Sequence, residues 1–260
     1  MERDWLASTF GLTDRVALVT GGGSGLGRAM ATALARAGAD VAVLDVDLRG
    51  AEETAVALRQ VGARAVALHA DVTQRGAVQD ALQAVLAAFG HVDVLVNSAG
   101  VTHTTWATEM DDATWERVLR VNLAGTFLCC QIVGRHMVER RQGSIVNIAS
   151  IAGFSGIRQK VAYNASKGGV VQVTRTLAVE WAPYNVRVNA IAPTSFDTPL
   201  VRQGTQAAAP DLLRDLLRLT PIGRKGQPEE IMGAVVFLAS PASSMVTGHV
   251  LAVDGGYLAQ

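Results

Sequence analysis

A chain of 260 residues carrying 23 Lys+Arg against 23 Asp+Glu has no net charge to draw it to nucleic acid or an anionic membrane. Its 49% hydrophobic content, 26 glycines and few aromatics exclude a disordered or fibrous chain and fit one α/β domain better than two. The opening MERDWLASTFGL lacks the apolar centre of a secretory signal, and no apolar run reaches membrane-spanning length. Cys129 and Cys130 are adjacent, so they close no useful disulfide loop and lack metal-ligand spacing; a cytoplasmic chain is expected.

The elements alternate in chain order. RVALVT (15–20) reads as a buried strand, followed by a glycine turn and a helix over 26–37. DVAVLDV (40–46) is the next strand, with a helix over 51–60. RAVALHA (64–70), VDVLVNSAG (92–100), GSIVNIAS (143–150), NVRVNAIAP (185–193) and HVLAVDGG (249–256) continue the series. Continuous β-branched runs between crossover helices predict a parallel sheet covered on both faces, hence a single-domain, doubly wound Rossmann fold of about seven strands. A helix over 115–141 is apolar on more than one face, which predicts a contact with another subunit. One irregular stretch, 193–221, contains the amphipathic DLLRDLLRL and is predicted to cover a site.

The first turn reads TGGGSGLG (20–27). Glycines there allow close backbone approach, and the following helix start offers free N–H groups to a pyrophosphate, although the spacing is not G-x-G-x-x-G. Asp45, at the end of the second strand, can accept both adenosine ribose hydroxyls and would repel a 2′-phosphate. Arg49 lies close by and argues the other way, but the turn itself contains no basic residue, so NAD is expected over NADP. Asp71, in ADVT, is placed either to contact the adenine edge or to cap the next helix.

Tyr163 and Lys167 share one helix face at i and i+4, with small residues between and beside them. Ser150 ends the strand before them, and Asn122 lies on the preceding helix. Together, TGGGSGLG, NSAG (97–100), Asn122, Ser150 and YNASK (163–167) make the chain resemble the short-chain dehydrogenase/reductase family, from about Leu12 to the VDGGY close at 253–257. Two departures stand out: Ser98 where the family often has Asn, and Thr194 where it usually has Gly.

The resemblance implies a hydride-transfer enzyme with Asn122, Ser150, Tyr163 and Lys167 as the catalytic set. Tyr163 would be the general acid/base, acidified by the Lys167 ammonium. Ser150 would hold the substrate oxygen, and Asn122 would position a water leading from Lys167 to solvent. It also implies nucleotide contacts at Gly21, Ser24, Gly25, Leu26 and Gly27, at Asp45, Asp71 and Val72, and at Asn97, Ala99 and Gly100. Tyr163, Lys167, Pro193 and Thr198 complete that set.

The stretch GFSGIRQKVAY (153–163) should wall the substrate pocket. Ser150, Ala152, Arg158, Gln159, Tyr163 and Phe196 are the expected substrate contacts. Lys160 and His103 are further candidates, each with an ordinary reading as a solvated loop side chain. The five histidines are scattered, and no metal site is expected. The leading expectation is an NAD-dependent dehydrogenase of a small secondary alcohol, polyol or sugar acid, acting as a homotetramer. The alternatives are an NADPH-dependent carbonyl or 3-oxoacyl reductase and, more remotely, a non-catalytic nucleotide-binding regulator.

Overall fold

Alternate residues of each central strand feed two separate apolar layers. In β1 (Val16–Thr20), Ala17 and Val19 enter one buried cluster while Val16 and Leu18 enter another. In β2 (Asp40–Asp45) the split falls between Val41 with Val43 and Ala42 with Leu44. Side chains alternate across a strand, so burial of both sets requires a cover on each face of the sheet. The unbroken apolar runs in the sequence have this cause.

The structure, a computed structural model, describes residues 2–260. With β3 (Ala65–His69), β4 (Val94–Asn97), β5 (Gly143–Ile148), β6 (Val186–Pro193) and β7 (Val250–Val253), the strands form one parallel sheet in the order β3-β2-β1-β4-β5-β6-β7. One face is covered by Met30 and Leu34 of α2 (Gly25–Arg36), Leu58 of α3 (Leu48–Gln60) and Leu238 of α9 (Met232–Ala239). The other is covered by Val85 of α4 (Arg75–Phe89), Val133 and Met137 of α6 (Thr126–Arg140) and Leu177 of α7 (Val161–Trp181). A further helix, α1 (Glu2–Phe10), precedes the sheet, and α5 (Asp112–Leu119) precedes α6. Cys129 and Cys130 are buried and unpaired, and burial pushes both thiols well up, so they behave as small apolar residues.

At the N-terminal end of the sheet, the buried carboxylate of Asp93 is fully engaged. It accepts from the Val16 N–H at 3.0 Å and from Gln142 Nε2 at 2.9 Å, and pairs with Arg15, Arg140 and His91. At the C-terminal end the strand order reverses between β1 and β4, which opens a crevice.

The structure departs from the predicted elements at two places that matter for this crevice. The helix expected over 115–141 is broken into α5, a π-helical segment over Arg120–Gly125, and α6. Within it the Thr126 hydroxyl donates to the Asn122 carbonyl at 2.7 Å, a backbone group the regular ladder does not hold in the usual way. The stretch after β6 forms a second π-helical segment, Leu200–Gln206, and then α8 (Pro210–Arg218). The apolar side of α8, Leu212 and Leu216, packs with Ile151, Ile157 and Leu258. This segment therefore lies over the loop that follows β5.

Candidate active site

The first turn is shaped by close contact. Gly21 has φ +64°, and a Cβ there would lie 2.7 Å from the Ala99 backbone; a Cβ on Gly27 would lie 2.0 Å from the Gly21 carbonyl oxygen. The turn thus packs β1 against the end of β4 and starts α2 in one move. Ser24, the N-cap of α2, makes no side-chain cap bond, so the first-turn N–H groups remain open to the crevice. A cavity of about 380 Å³ lies there, walled by Gly21, Ser24, Gly25, Leu26 and Gly27. Open donors at a helix start, beside a backbone that admits no side chain, fit a dinucleotide pyrophosphate.

Asp45 walls the same cavity with both oxygens engaged. Oδ2 accepts from the Gly23 N–H and Oδ1 from the Asp47 N–H, each at 2.9 Å. Asp71 also lines it, while its Oδ1 accepts from the Thr73 N–H at 2.9 Å, so the capping geometry and the cavity position coexist. Arg49 does not line the cavity; its side chain is 87% exposed and pairs with Glu53 at 3.2 Å. Val72, Ala99, Gly100, Pro193 and Thr198 complete the walls expected from the sequence. Asn97 is not brought there. Its amide is buried beneath the turn, donating to Asn147 Oδ1 at 2.9 Å and to Cys130 Sγ, and Ser98 lines the cavity in its place. The strand pairing explains this: Asn97 is the last laddered residue of β4 and sits opposite Asn147.

Ser150, Tyr163 and Lys167 close the far end of the cavity. The Ser150 hydroxyl hydrogen-bonds the Tyr163 phenol and accepts from the Ala152 N–H at 3.1 Å, which fixes its orientation. Ala152 itself is buried and acts on the site through this backbone donor. Lys167 Nζ donates to the Ile148 carbonyl at 2.6 Å and sits 5.6 Å from the centre of the Tyr163 ring.

The expected acidification of Tyr163 by Lys167 is not what the structure gives. Burial pushes the phenol above its ordinary value, and only the Ser150 hydrogen bond pulls it down. Burial also pulls Lys167 down to about 8. Asn122 is wholly buried behind this group: Oδ1 accepts from the Val101 N–H at 2.8 Å, and Nδ2 donates to the Val101 carbonyl and to Ser166 Oγ. Its side chain is thus spent on anchoring the segment after β4.

A second pocket of about 60 Å³ shares Ser150, Tyr163 and Thr194 with the first and runs under the segment after β6. Arg158 does not enter it; it pairs at the surface with Asp215 at 2.6 Å. Gln159 has φ +60° and lies outside the lining, as does His103. Phe196 is a core residue: it is 3% exposed, bridges to Gly226 and leaves no room for a Cβ there. Lys160, Thr102, Ile157 and Thr205 form the pocket instead. Thr194 lines both spaces, and among the described residues its buried hydroxyl has no hydrogen-bond partner.

Residues 21–258 match the profile of the family described as enoyl-(acyl carrier protein) reductase. The chain is 45% identical to the D-threitol dehydrogenase of Mycolicibacterium smegmatis over 248 residues, 95% of this chain and 94% of that enzyme. It is 40% identical to the NAD-dependent glycerol dehydrogenase of Listeria innocua serovar 6a, over 95% of each. The chain belongs to the short-chain dehydrogenase/reductase family. The solved gluconate 5-dehydrogenase of Burkholderia cenocepacia J2315, in complex with NADP and tartrate, superposes with a TM-score of 0.92 at 36% identity, covering 98% of this chain and 99% of that one.

As a short-chain dehydrogenase/reductase, the protein is an NAD(P)-dependent oxidoreductase that interconverts a secondary alcohol and its ketone. Sequence reasoning missed the apolar lining, such as Leu44, Val46 and Val121, and Leu200 and Val201 of the segment after β6. The signal available for Leu44 and Val46 was adjacency to Asp45 at a strand end. For Leu200 and Val201 only the predicted covering stretch pointed the way.

Proposed function

We propose that the protein is an NAD-dependent dehydrogenase of a small polyhydroxylated alcohol, a polyol or a sugar acid, with Tyr163 as the general acid/base. The observation that carries this reading is the buried Ser150–Tyr163 hydroxyl pair, set in the wall common to the large cavity and a smaller pocket of mixed polar and apolar lining. NAD, when bound, supplies the nicotinamide ring that takes hydride from the carbinol carbon and returns it in the reverse direction. In oxidation, Tyr163 as phenolate takes the proton of the substrate hydroxyl and becomes the phenol; in reduction the phenol gives that proton back. Ser150, steadied by the Ala152 N–H, turns its own hydrogen toward the oxygen where charge changes. Lys167 uses one N–H on the Ile148 carbonyl and keeps two for the nicotinamide ribose.

Asp45 supports NAD. Its carboxylate is pinned at the cavity wall, Arg49 is turned away to Glu53, and Lys167 is the only Lys or Arg among the residues lining the cavity. An NADP-dependent reductase is the second reading, favoured by the NADP-bound gluconate 5-dehydrogenase among the structural neighbours. The polyol or sugar-acid class draws on the threitol, glycerol and gluconate enzymes and on the unpartnered Thr194 hydroxyl. The segment over 193–221 serves as the cover of the substrate pocket. A homotetramer in the cytoplasm completes the proposal, supported by the unpaired cysteines and by the exposed Phe127 and Val179 on α6 and α7.

A panel of polyols, aldonic acids and simple secondary alcohols, followed by NADH absorbance, tests the reading. Oxidation of a polyhydroxylated member with NAD is the expected result. Activity confined to NADPH and acyl ketones would replace it with the reductase reading.

A further inference from the structure

Lys160 is a buried charge outside the Ser150–Tyr163–Lys167 group. It is 4% exposed and lies among Ile151, Ile157 and Leu216 in the pocket beside Ser150 and Tyr163. Its Nζ donates to Thr102 Oγ1 at 2.8 Å and Thr104 Oγ1 at 2.6 Å, and among the described residues no carboxylate lies within 4.0 Å of it. A buried ammonium without a counter-charge is costly, and a protein that keeps one has a use for it.

The surroundings state what that use is. An ammonium has three N–H donors, and two are spent on the threonine hydroxyls. Each hydroxyl, having accepted from Nζ, must turn its own hydrogen elsewhere. The cluster is therefore rich in unspent donors, which suits an anion with several acceptor positions rather than a neutral hydroxyl that must also donate. Burial pulls Lys160 down to about 8, the direction an adjacent anion would reverse.

The backbone is arranged to deliver this one residue. Gln159 takes a left-handed conformation, φ +60°, and its carbonyl accepts from the Thr105 N–H at 3.1 Å. Arg158 stays at the surface on Asp215 while Lys160 turns inward. From the other side, Gly204 packs so closely on Thr102 that a Cβ would lie 2.6 Å from Thr102 Cγ2, so the cover meets the pocket at this cluster.

We propose that Lys160, with Thr102 and Thr104, is a carboxylate-binding subsite, and that the substrate is a hydroxy acid whose carboxylate docks there while its secondary alcohol faces Ser150 and Tyr163. This rests on the dehydrogenase reading above and narrows it from polyols and acids to acids.

The test compares D-gluconate with D-glucitol, equal in carbon number and differing in the carboxylate. For wild type and Lys160→Met, the readout is the ratio of kcat/KM for acid over polyol. The ratio is expected to favour the acid in wild type and to fall by about 10²-fold in the variant, as for truncation of a buried charge pair. An equal ratio in the two proteins overturns the subsite, whatever the absolute rates. Thr102→Val provides a second variant with the charge intact, and its ratio should fall by about tenfold.

Calorimetric titration of the NAD-loaded protein with gluconate separates the two readings. If neither compound is oxidised, these two are not its substrates and binding alone decides the subsite. Gluconate binding weakened about 10²-fold by Lys160→Met still supports the subsite. Equal binding in both proteins, or none in wild type, overturns it.

Discussion

The two ends of the parallel sheet treat buried charge in opposite ways. At the N-terminal end, Asp93 is surrounded by Val16 N–H, Gln142, His91 and two arginines, so every lone pair has a donor. At the C-terminal end, Lys160 and Lys167 are as deeply buried but hold only neutral oxygens, those of Thr102, Thr104 and Ile148. A satisfied charge is a structural fastening, and an unbalanced one is a position prepared for something else. Stability and chemistry are thus segregated along the strand direction, with the same β-strands serving both.

Substitutions at each end should separate these roles. The largest effect is expected from Asp93→Ala, which strands buried donors and should lower unfolding free energy by about 3–5 kcal/mol in urea titration. A loss under 1 kcal/mol would break the contrast, since the fastening would then be ornamental. Tyr163→Phe should leave stability nearly unchanged and nucleotide binding intact by fluorescence, yet reduce kcat by roughly 10²-fold or more. Near-normal turnover would remove Tyr163 from the chemistry. Asp45→Ala should shift the NAD over NADP ratio of kcat/KM toward NADP by about tenfold, through loss of repulsion at the 2′ position. An unchanged ratio would assign cofactor choice to another residue.

Two pH measurements sharpen the comparison. Because burial raises the Tyr163 phenol, the oxidative kcat at saturating nucleotide should still be climbing above pH 9, by up to about tenfold per unit, while ketone reduction declines. A plateau by pH 7 would show that the phenol is acidified after all. For stability the lysines decide the sign. Each ordinarily titrates near 10.5 but is pulled to about 8 when folded, so between these values the unfolded chain binds more protons. The midpoint of thermal unfolding without added nucleotide should therefore rise by about 2–5 °C from pH 8 to pH 10. A fall over that window would mean that the lysines are not desolvated as described.

Much of this was legible in the sequence. The strand runs could be read because both faces are buried, and TGGGSGLG because close approach at Gly21 and Gly27 admits no side chain. Ser150, Tyr163 and Lys167 were readable from type and order, and the structure brings them together. What stayed hidden depended on backbone sign and on layers. Arg158, Gln159 and Lys160 look alike in sequence, and only the left-handed turn at 159 decides which one is buried. Phe196 reads as a pocket residue until its bridge to Gly226 places it in the core. The break over Arg120–Gly125 leaves no mark in the apolar pattern, because the sequence on its C-terminal side is apolar on more than one face and a shift of phase does not show.

That break carries a consequence for how this scaffold can vary. A wide turn of this kind is an ordinary helix holding one surplus residue, and removing that residue would rotate everything beyond it by about 100°. Asn122 would swing away from the main chain of Val101, releasing the strip that leads to Thr102 and Thr104. The six residues of this segment thus couple the path of the chain after β4 to the helix carrying Ser166 and Lys167.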